Sequence, residues 1–193
     1  MWEGYPQPES APYSVAKKTA LVAASSYRRE RGLSSVVIIP GNMYGEYDNF
    51  RVAESHVVPA LVRKYYEAKL AGTPYIDAWG TGRPTRDFVY AGDVAQLLPF
   101  FLDEYDSDEP VNLSSGTTTA IRELVETIKE LTGFPGEIRW DATKPDGQME
   151  KIFDVTRMHG LGLRCDTPLR TGLERTIQWL NANYAGQTDG LRL

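Results

Sequence analysis

The chain has 193 residues, 41% hydrophobic and 24% charged, with a formal net charge of −5, a composition ordinary for a folded protein with a core of its own. No Lys/Arg block stands out, which argues against a nucleic-acid partner, and there is no run of about 18 apolar residues of the kind a membrane-spanning helix needs. Cys165 is the only cysteine, so no internal disulfide can form; two histidines without an H-x-x-x-H or C-x-x-C spacing leave no metal site. One cysteine and no basic-then-apolar leader fit a cytoplasmic protein.

In chain order, residues 1–12 read as an irregular lead-in. Residues 14–31 read as a helix with a small apolar stripe (Ala16, Thr19, Ala20, Ala23, Ala24, Tyr27), Arg28, Arg29 and Arg31 in its last turn and Gly32 as its stop. The small residues would let another helix approach closely, a basis for a homodimer. Residues 35–39 are a β-branched run, predicted as a strand buried on both faces in a parallel sheet. Pro40 and Gly41 end it, and the polar, aromatic loop 42–50 leaves the carboxyl end of that strand, where open α/β sheets place ligands. A helix over about 54–71 carries His56, Val57, Leu61, Val62 and Tyr65. Strands are predicted at 76–79 and 86–90, flanking the turn Gly80-Thr81-Gly82. Asp93 is a candidate N-cap for a helix over 94–102. A strand at 110–113 and a loop at 114–119 precede a helix over 120–132 with Ile121, Leu124, Val125, Ile128 and Leu131 at 3.6-residue spacing. A strand at 137–140 and a last helix from Pro168 to about residue 184, with Pro168 at its first position, complete an α/β architecture.

The motif closest to chemistry is Tyr13-Ser14-Val15-Ala16-Lys17. Residues four apart on a helix share a face. A lysine ammonium beside a phenol favours the phenolate, which makes the hydroxyl useful for proton transfer at a carbonyl. Taken alone, such a pair is usually a half-buried aromatic beside a solvated charge. No strand-GxGxxG-helix and no Gly-x-x-x-x-Gly-Lys-Ser/Thr loop is present.

Further blocks follow in order: Pro40-Gly41-Asn42-Met43-Tyr44-Gly45, Asp48-Asn49-Phe50, Ser55-His56-Val57-Val58-Pro59-Ala60-Leu61, Trp79-Gly80-Thr81-Gly82-Arg83-Pro84-Thr85-Arg86-Asp87-Phe88, Val89-Tyr90-Ala91-Gly92-Asp93 and Lys144-Pro145-Asp146-Gly147. Together with Tyr-x-x-x-Lys, they closely resemble the C-terminal part of the GDP-L-fucose synthases. These are extended short-chain dehydrogenase/reductases of the NAD-dependent epimerase/dehydratase family, and the resemblance covers residues 3–182. It implies a Rossmann-type α/β fold whose N-terminal dinucleotide-binding half is missing. Residues 1–53 would end the Rossmann-type domain; 54–193 would be mainly a substrate domain, with about 86–115 returning to the first. The implied reaction is 3,5-epimerisation of GDP-4-keto-6-deoxy-D-mannose followed by 4-reduction with NADPH, NAD being an alternative. This chain alone would be inactive and would bind NADP weakly.

By the same resemblance Tyr13 is the proton donor, Lys17 tunes it and holds the nicotinamide ribose, and Pro40, Gly41, Asn42 and Met43 line the nicotinamide. His56 is the epimerisation acid on the cofactor side; a lone helix histidine is otherwise a surface or core residue. Lys64, Trp79 and Arg86 hold the GDP-sugar, with packing an alternative for Trp79. Asp146 is either a nucleotide contact or a turn residue. The sequence departs from the pattern at Gly41, where Thr or Val is expected, which would loosen the loop. It departs also at Glu46 in place of proline, at Gly92 in place of an acidic residue, and at Gln148-Met149-Glu150 in place of a more basic stretch. The family's cofactor fingerprint, catalytic serine and epimerisation cysteine belong upstream of Tyr13, and Cys165 does not replace that cysteine. Other readings stay open: another epimerase or dehydratase acting on a UDP- or dTDP-sugar, or a non-catalytic nucleotide-sugar-binding fragment.

Overall fold

The structure is a computed structural model that describes residues 4–6, 8–51 and 54–184. The chain forms two compact units, 1–39 with 97–111, and 40–96 with 112–193.

The first unit is dominated by helix α1 (Ala11–Arg31), entered through a 3₁₀ turn at Pro8–Ser10. Its stop is the predicted one. Gly32 takes φ +65° and its N–H donates to the Arg28 carbonyl at 3.0 Å, a conformation that costs glycine nothing. No residue of α1 is buried, and Tyr13 is 68% exposed. The Arg28 guanidinium pairs with Asp106, and Ser25 Oγ donates to Asp108 at 3.4 Å. Phe100, Phe101 and Tyr105 form a small aromatic cluster, with Phe101 and Tyr105 centroids 5.5 Å apart. The predicted strand 35–39 is shorter, β1 (Ile38–Pro40), and only half-buried. It pairs with β6 (Val111–Leu113).

The second unit holds the main core. Strand β2 (Asn42–Tyr44), which the sequence reads as loop, runs parallel to β5 (Phe88–Tyr90). Strand β3 (Tyr75–Trp79) runs parallel to β8 (Glu137–Asp141). A third sheet sets β4 (Thr85–Arg86) between antiparallel β7 (Thr119–Ala120) and parallel β9 (Glu150–Lys151). Three helices supply the apolar faces: α2 (Val57–Leu70) with Val58, Val62 and Tyr65, α4 (Ile121–Thr132) with Leu124, Val125 and Ile128, and α6 (Leu169–Asn183) with Leu173, Ile177 and Leu180. Helix α4 follows the 3.6-residue spacing read from the sequence and ends on Gly133 at φ +68°. The short strand β9 and helix α5 (Thr156–Gly160) carry no periodicity by which the sequence announces them.

Three boundaries differ for physical reasons. Helix α2 starts at Val57, so His56 is its N-cap, with extended backbone at φ −70° and ψ 170°. Helix α3 (Ala91–Asp103) already contains Asp93 in its first turn, and the Asp93 carboxylate accepts from Thr167 N–H at 2.8 Å and Thr167 Oγ1 at 2.5 Å instead of capping. This fixes the approach to α6, whose N-cap is Pro168. Finally, the predicted strand 86–90 breaks into β4 and β5 at Asp87.

Asp87 is fully buried and every polar group it has is used. Its Oδ1 accepts from Ser115 N–H at 3.2 Å and Ser115 Oγ at 2.7 Å, and its Oδ2 accepts from Gly116 N–H at 3.2 Å and Phe153 N–H at 3.3 Å. Its own N–H donates to Lys151 at 3.1 Å, and its carbonyl accepts from Asn42 N–H at 3.3 Å and Asn42 Nδ2 at 2.7 Å. Four chain segments therefore meet on one residue.

Gly41 is held as firmly. Its N–H donates to the Leu113 carbonyl at 2.9 Å, and a Cβ built on it would overlap Ser114 Oγ and stand 2.9 Å from Ser114 Cβ. The glycine admits Ser114; it does not loosen the loop. Ser114 is fully buried and its hydroxyl has no partner. Gly41→Ala should destabilise the chain by about 1–3 kcal/mol, the cost of overpacking a close contact, while Ser114→Ala, which deletes an orphaned hydroxyl, should change stability by less than about 0.5 kcal/mol. Urea denaturation of both variants checks this; a neutral Gly41→Ala would show that the close approach imposes nothing.

Candidate functional site

Helix α1 brings Tyr13 and Lys17 together in the first unit, with Lys17 Nζ 5.4 Å from the Tyr13 ring centroid. Both side chains are exposed, so the hydroxyl and the ammonium lie open along one helix face. All other candidates belong to the second unit.

There, residues 40–43 are a taut connection. Gly41 N–H is tied to Leu113, and Asn42 spends both its N–H and its side-chain amide on the Asp87 carbonyl. Met43 points outward, 43% exposed. His56, exposed at the N-cap of α2, makes no side-chain cap bond. Asp48 lies within electrostatic reach of it. Burial raises the Asp48 carboxyl above its ordinary value, while the Asn49 N–H and the charge of His56 pull the other way. Asp48 and Asn49 also shape the turn into α2, with Asp48 Oδ1 accepting from Asn49 N–H at 2.7 Å and Asn49 Oδ1 from Arg51 N–H at 3.1 Å.

Two turns along α2, Lys64 Nζ donates to the Asp77 carbonyl at 2.6 Å and so ties the helix to β3. An ammonium has three donors, and one is used here. On β3 the exposed edge alternates Tyr75, Asp77 and Trp79, while Ile76 and Ala78 are buried. Trp79 is 74% exposed, and Lys144 Nζ lies 5.8 Å from its ring. Arg139 sits 3.6 Å over the Tyr75 ring on the same sheet face. Arg86 is half-buried on β4, with one guanidinium nitrogen donating to the Thr85 carbonyl at 2.7 Å. No other hydrogen bond of its guanidinium is formed among the described residues. Asp146 has both oxygens on Thr81, from its N–H at 2.6 Å and its Oγ1 at 2.7 Å. These bonds hold the Asp146 carboxyl below the ordinary carboxylate range.

Sequence reading missed three residues at this surface. In the sequence Thr81 is the middle residue of a simple turn, Gly80-Thr81-Gly82. Glu46, which stands out as a departure, accepts from Tyr90 Oη at 2.8 and 2.7 Å with its two oxygens. Tyr47 takes a positive φ of +64° and lies over Trp179, centroids 5.1 Å apart. Only Glu46 left a signal in the sequence, its departure from a pattern.

Cys165 is no nucleophile. It is 4% exposed, and burial, helped by the charges of Asp93, Asp166 and Asp87, pushes its thiol up to about 12. Its sulfur rests 4.0 Å from Met158 Sδ. Among the described residues no group of His, Cys, Asp and Glu could hold a metal ion, and no helix is long and apolar enough to cross a membrane.

The sequence model of the NAD dependent epimerase/dehydratase family matches residues 2–114. The chain is 40% identical over 181 residues to GDP-L-fucose synthase 1 of Arabidopsis thaliana, covering 94% of this chain and 56% of that protein. It is 35% identical over 190 residues to the GDP-L-fucose synthase of Escherichia coli K12, covering 94% of this chain and 59% of that protein. The crystal structure of a GDP-L-fucose synthetase from Naegleria fowleri bound to NADP superposes with a TM-score of 0.88 at 31% identity, over 95% of this chain and 59% of that one. The chain thus spans somewhat over half the length of these relatives, and its α/β arrangement with parallel strand pairs matches theirs.

The thiol result is open to test. Iodoacetamide at mildly alkaline pH should leave native Cys165 unlabelled and should label it once the chain is unfolded in urea, because only the thiolate reacts. Labelling of the native chain at the rate of a free peptide thiol would contradict the burial.

Proposed function

The chain belongs to the NAD dependent epimerase/dehydratase family, and on that premise we propose that it carries the proton-transfer and nucleotide-sugar-binding parts of a GDP-L-fucose synthase-like 3,5-epimerase/4-reductase. Its substrate would be GDP-4-keto-6-deoxy-D-mannose and its reductant NADPH. The likeness to fucose synthases along almost the whole chain carries this reading.

In the first unit an exposed tyrosine hydroxyl and lysine ammonium on one helix face suit a nicotinamide ribose, and in the second, taken by itself, an outward Met43 on a taut strand suits the ring. Tyr13 and Lys17 would meet the nicotinamide ribose, and Pro40, Gly41, Asn42, Met43 and His56 would border the ring. When bound, the cofactor supplies the hydride. Tyr13 Oη would give its proton to the C4 oxygen in the reduction, and would stabilise the same oxygen while the C3 and C5 protons are exchanged. Lys17 stands beside Tyr13, with Nζ 5.4 Å from the ring centroid. His56 returns a proton to the sugar carbon; imidazole does this readily near neutral pH, and its place at a helix entrance leaves both ring nitrogens outside the helix hydrogen-bond ladder. Lys64 and Arg86 hold the diphosphate and Trp79 offers an aromatic wall. Asp146 serves the same surface through Thr81.

The reading carries with it a division into 1–53 and 54–193 with about 86–115 returning to the first part, a cytoplasmic location, and a homodimer through the open face of α1. A chain that sediments as a monomer at high concentration removes the dimer.

When this chain is joined to the cofactor-binding half of a relative, Tyr13→Phe should lower the reduction rate by about 10²–10⁴-fold, the usual worth of a positioned acid. In the same enzyme His56→Gln should slow solvent deuterium uptake at C3 and C5 and spare reduction of an already epimerised sugar. Unchanged turnover in the first variant, or unchanged exchange in the second, sinks the corresponding role. Ligand-observed NMR of the chain with GDP, UDP and dTDP tests the nucleotide: a preference for UDP or dTDP transfers the reading to another sugar-nucleotide epimerase, and no binding of any of the three leaves it without a substrate surface.

A further inference from the structure

We propose that Glu46 and Tyr90 are a pair of positioning residues: the hydrogen bond between them, for which Gly92 leaves room, clamps the far end of the segment 40–46 and thereby holds Met43 in its outward pose. The part this clamp plays in catalysis rests on the reading of 40–43 as the border of the nicotinamide ring.

The near end of the segment is tied by Gly41 N–H to Leu113 and by Asn42 to Asp87. Its middle is β2, three residues in parallel register with β5: Asn42 with Phe88, Met43 with Val89 and Tyr44 with Tyr90. A two-stranded ladder of that length is marginal on its own, so its end needs a second hold. Tyr90, the last residue of the ladder, supplies it. The side chain is buried, and its hydroxyl stands 2.8 Å from Glu46 Oε1 and 2.7 Å from Oε2. A phenol has one proton to give, and here that proton faces both oxygens of one carboxylate, the setting of a charge-assisted bond. Burial and this bond hold the Tyr90 hydroxyl above its ordinary value, while Arg175 of α6 pulls the other way. The phenol is therefore the donor and the carboxylate the acceptor.

Two departures from the family pattern, Glu46 and Gly92, are thereby one feature. A Cβ at residue 92 would stand 2.4 Å from Tyr90 Cε1 and 3.1 Å from its Cζ, so a side chain there would drive the ring away from Glu46. Without a proline at 46, no pyrrolidine ring stiffens the exit from β2, and the bond to Tyr90 takes over that constraint. The exit needs one. The next residue, Tyr47, takes φ +64°, a region costly for any residue with a side chain, and its ring rests on Trp179. Arg175, with its guanidinium 5.4 Å from the Tyr90 centroid, and Tyr44, whose hydroxyl donates to the Leu169 carbonyl at 3.2 Å, carry the same hold to α6. Met43 lies between the two ties. An exposed side chain has little packing of its own, so its direction follows the backbone that the ties fix.

The test reads the methionine methyl resonances of the ¹³C-methyl-labelled chain, with Met43 assigned by Met43→Leu and the fully buried Met158 as internal control. Tyr90→Phe, which deletes only the hydroxyl, and Glu46→Ala should move the Met43 methyl resonance in the same direction and leave that of Met158 in place. The double variant should move it no further than the larger single change, as two residues acting through one bond require. Glu46→Gln keeps an acceptor and should recover part of the wild-type position. A Met43 resonance that neither variant moves would overturn the proposal. So would shifts that add in the double variant, or that Met158 shares, because these mean separate effects or a general loosening. In the chain joined to a relative's cofactor-binding half, Tyr90→Phe should lower kcat for reduction about 10-fold through a misplaced nicotinamide ring, with little change in KM for NADPH. If the methyl responds as expected and kcat does not change, the clamp stands and the nicotinamide reading of 40–43 falls.

Discussion

The second unit depends on a buried carboxyl group. Asp87 stands at zero exposure between β4 and β5, and its two oxygens gather Ser115, Gly116 and Phe153 while its backbone gathers Asn42 and Lys151. These partners come from segments far apart in the chain. The Ser115, Gly116 and Phe153 donors would lose their acceptor if the carboxylate were absent, at about 1–3 kcal/mol for each left buried and unmet. The Asp87 side chain ties the 115–116 loop to Phe153 while its backbone ties in Asn42 and Lys151, and the ladder breaks at this residue between β4 and β5. Arg86, one residue earlier, inherits its placement from this anchor, and so does the connection 40–43 through Asn42.

The surface built on that anchor is assembled from short pieces, none of which is stable alone. Strands β4, β7 and β9 have two residues each, too few to hold register by ladder bonds. Elsewhere in the unit, side chains cross between segments: Asp146 to Thr81, Asp93 to Thr167, Lys64 to the Asp77 carbonyl, and Glu46 to Tyr90. A site made this way is fixed by polar bonds between loops, with the apolar core of α2, α4 and α6 as a floor. This explains why the exposed functional candidates Trp79, Lys64 and His56 all stand on or beside core elements. Their own side chains are open, but the backbone under them is not.

The same division of labour governs what could be read in advance. Helix α4 was legible because its burial repeats every 3.6 residues, and α1 because a glycine ends it in the one conformation that favours glycine. Tyr13 and Lys17 were legible as a pair because four-residue spacing on a helix is a local geometric fact. Strand β2 was not, because three residues show no period. Nor was the role of Gly41, which looked like looseness and proves to be the room that Ser114 occupies. Asp93 looked like a cap because it begins a helical stretch, yet a threonine 74 residues later in sequence claims its carboxylate.

By itself the sequence determined the α/β class, the helix faces, the tyrosine–lysine pair and the order of motifs that placed the chain in its family, since each is written in spacings of a few residues. The tertiary structure alone decided which carboxylates are anchors and which are open. Asp87, Asp93 and Asp146 are the same residue type in similar local settings. Each is an anchor because hydrogen-bond donors from a distant segment arrive at both of its oxygens, and local sequence carries no record of that arrival.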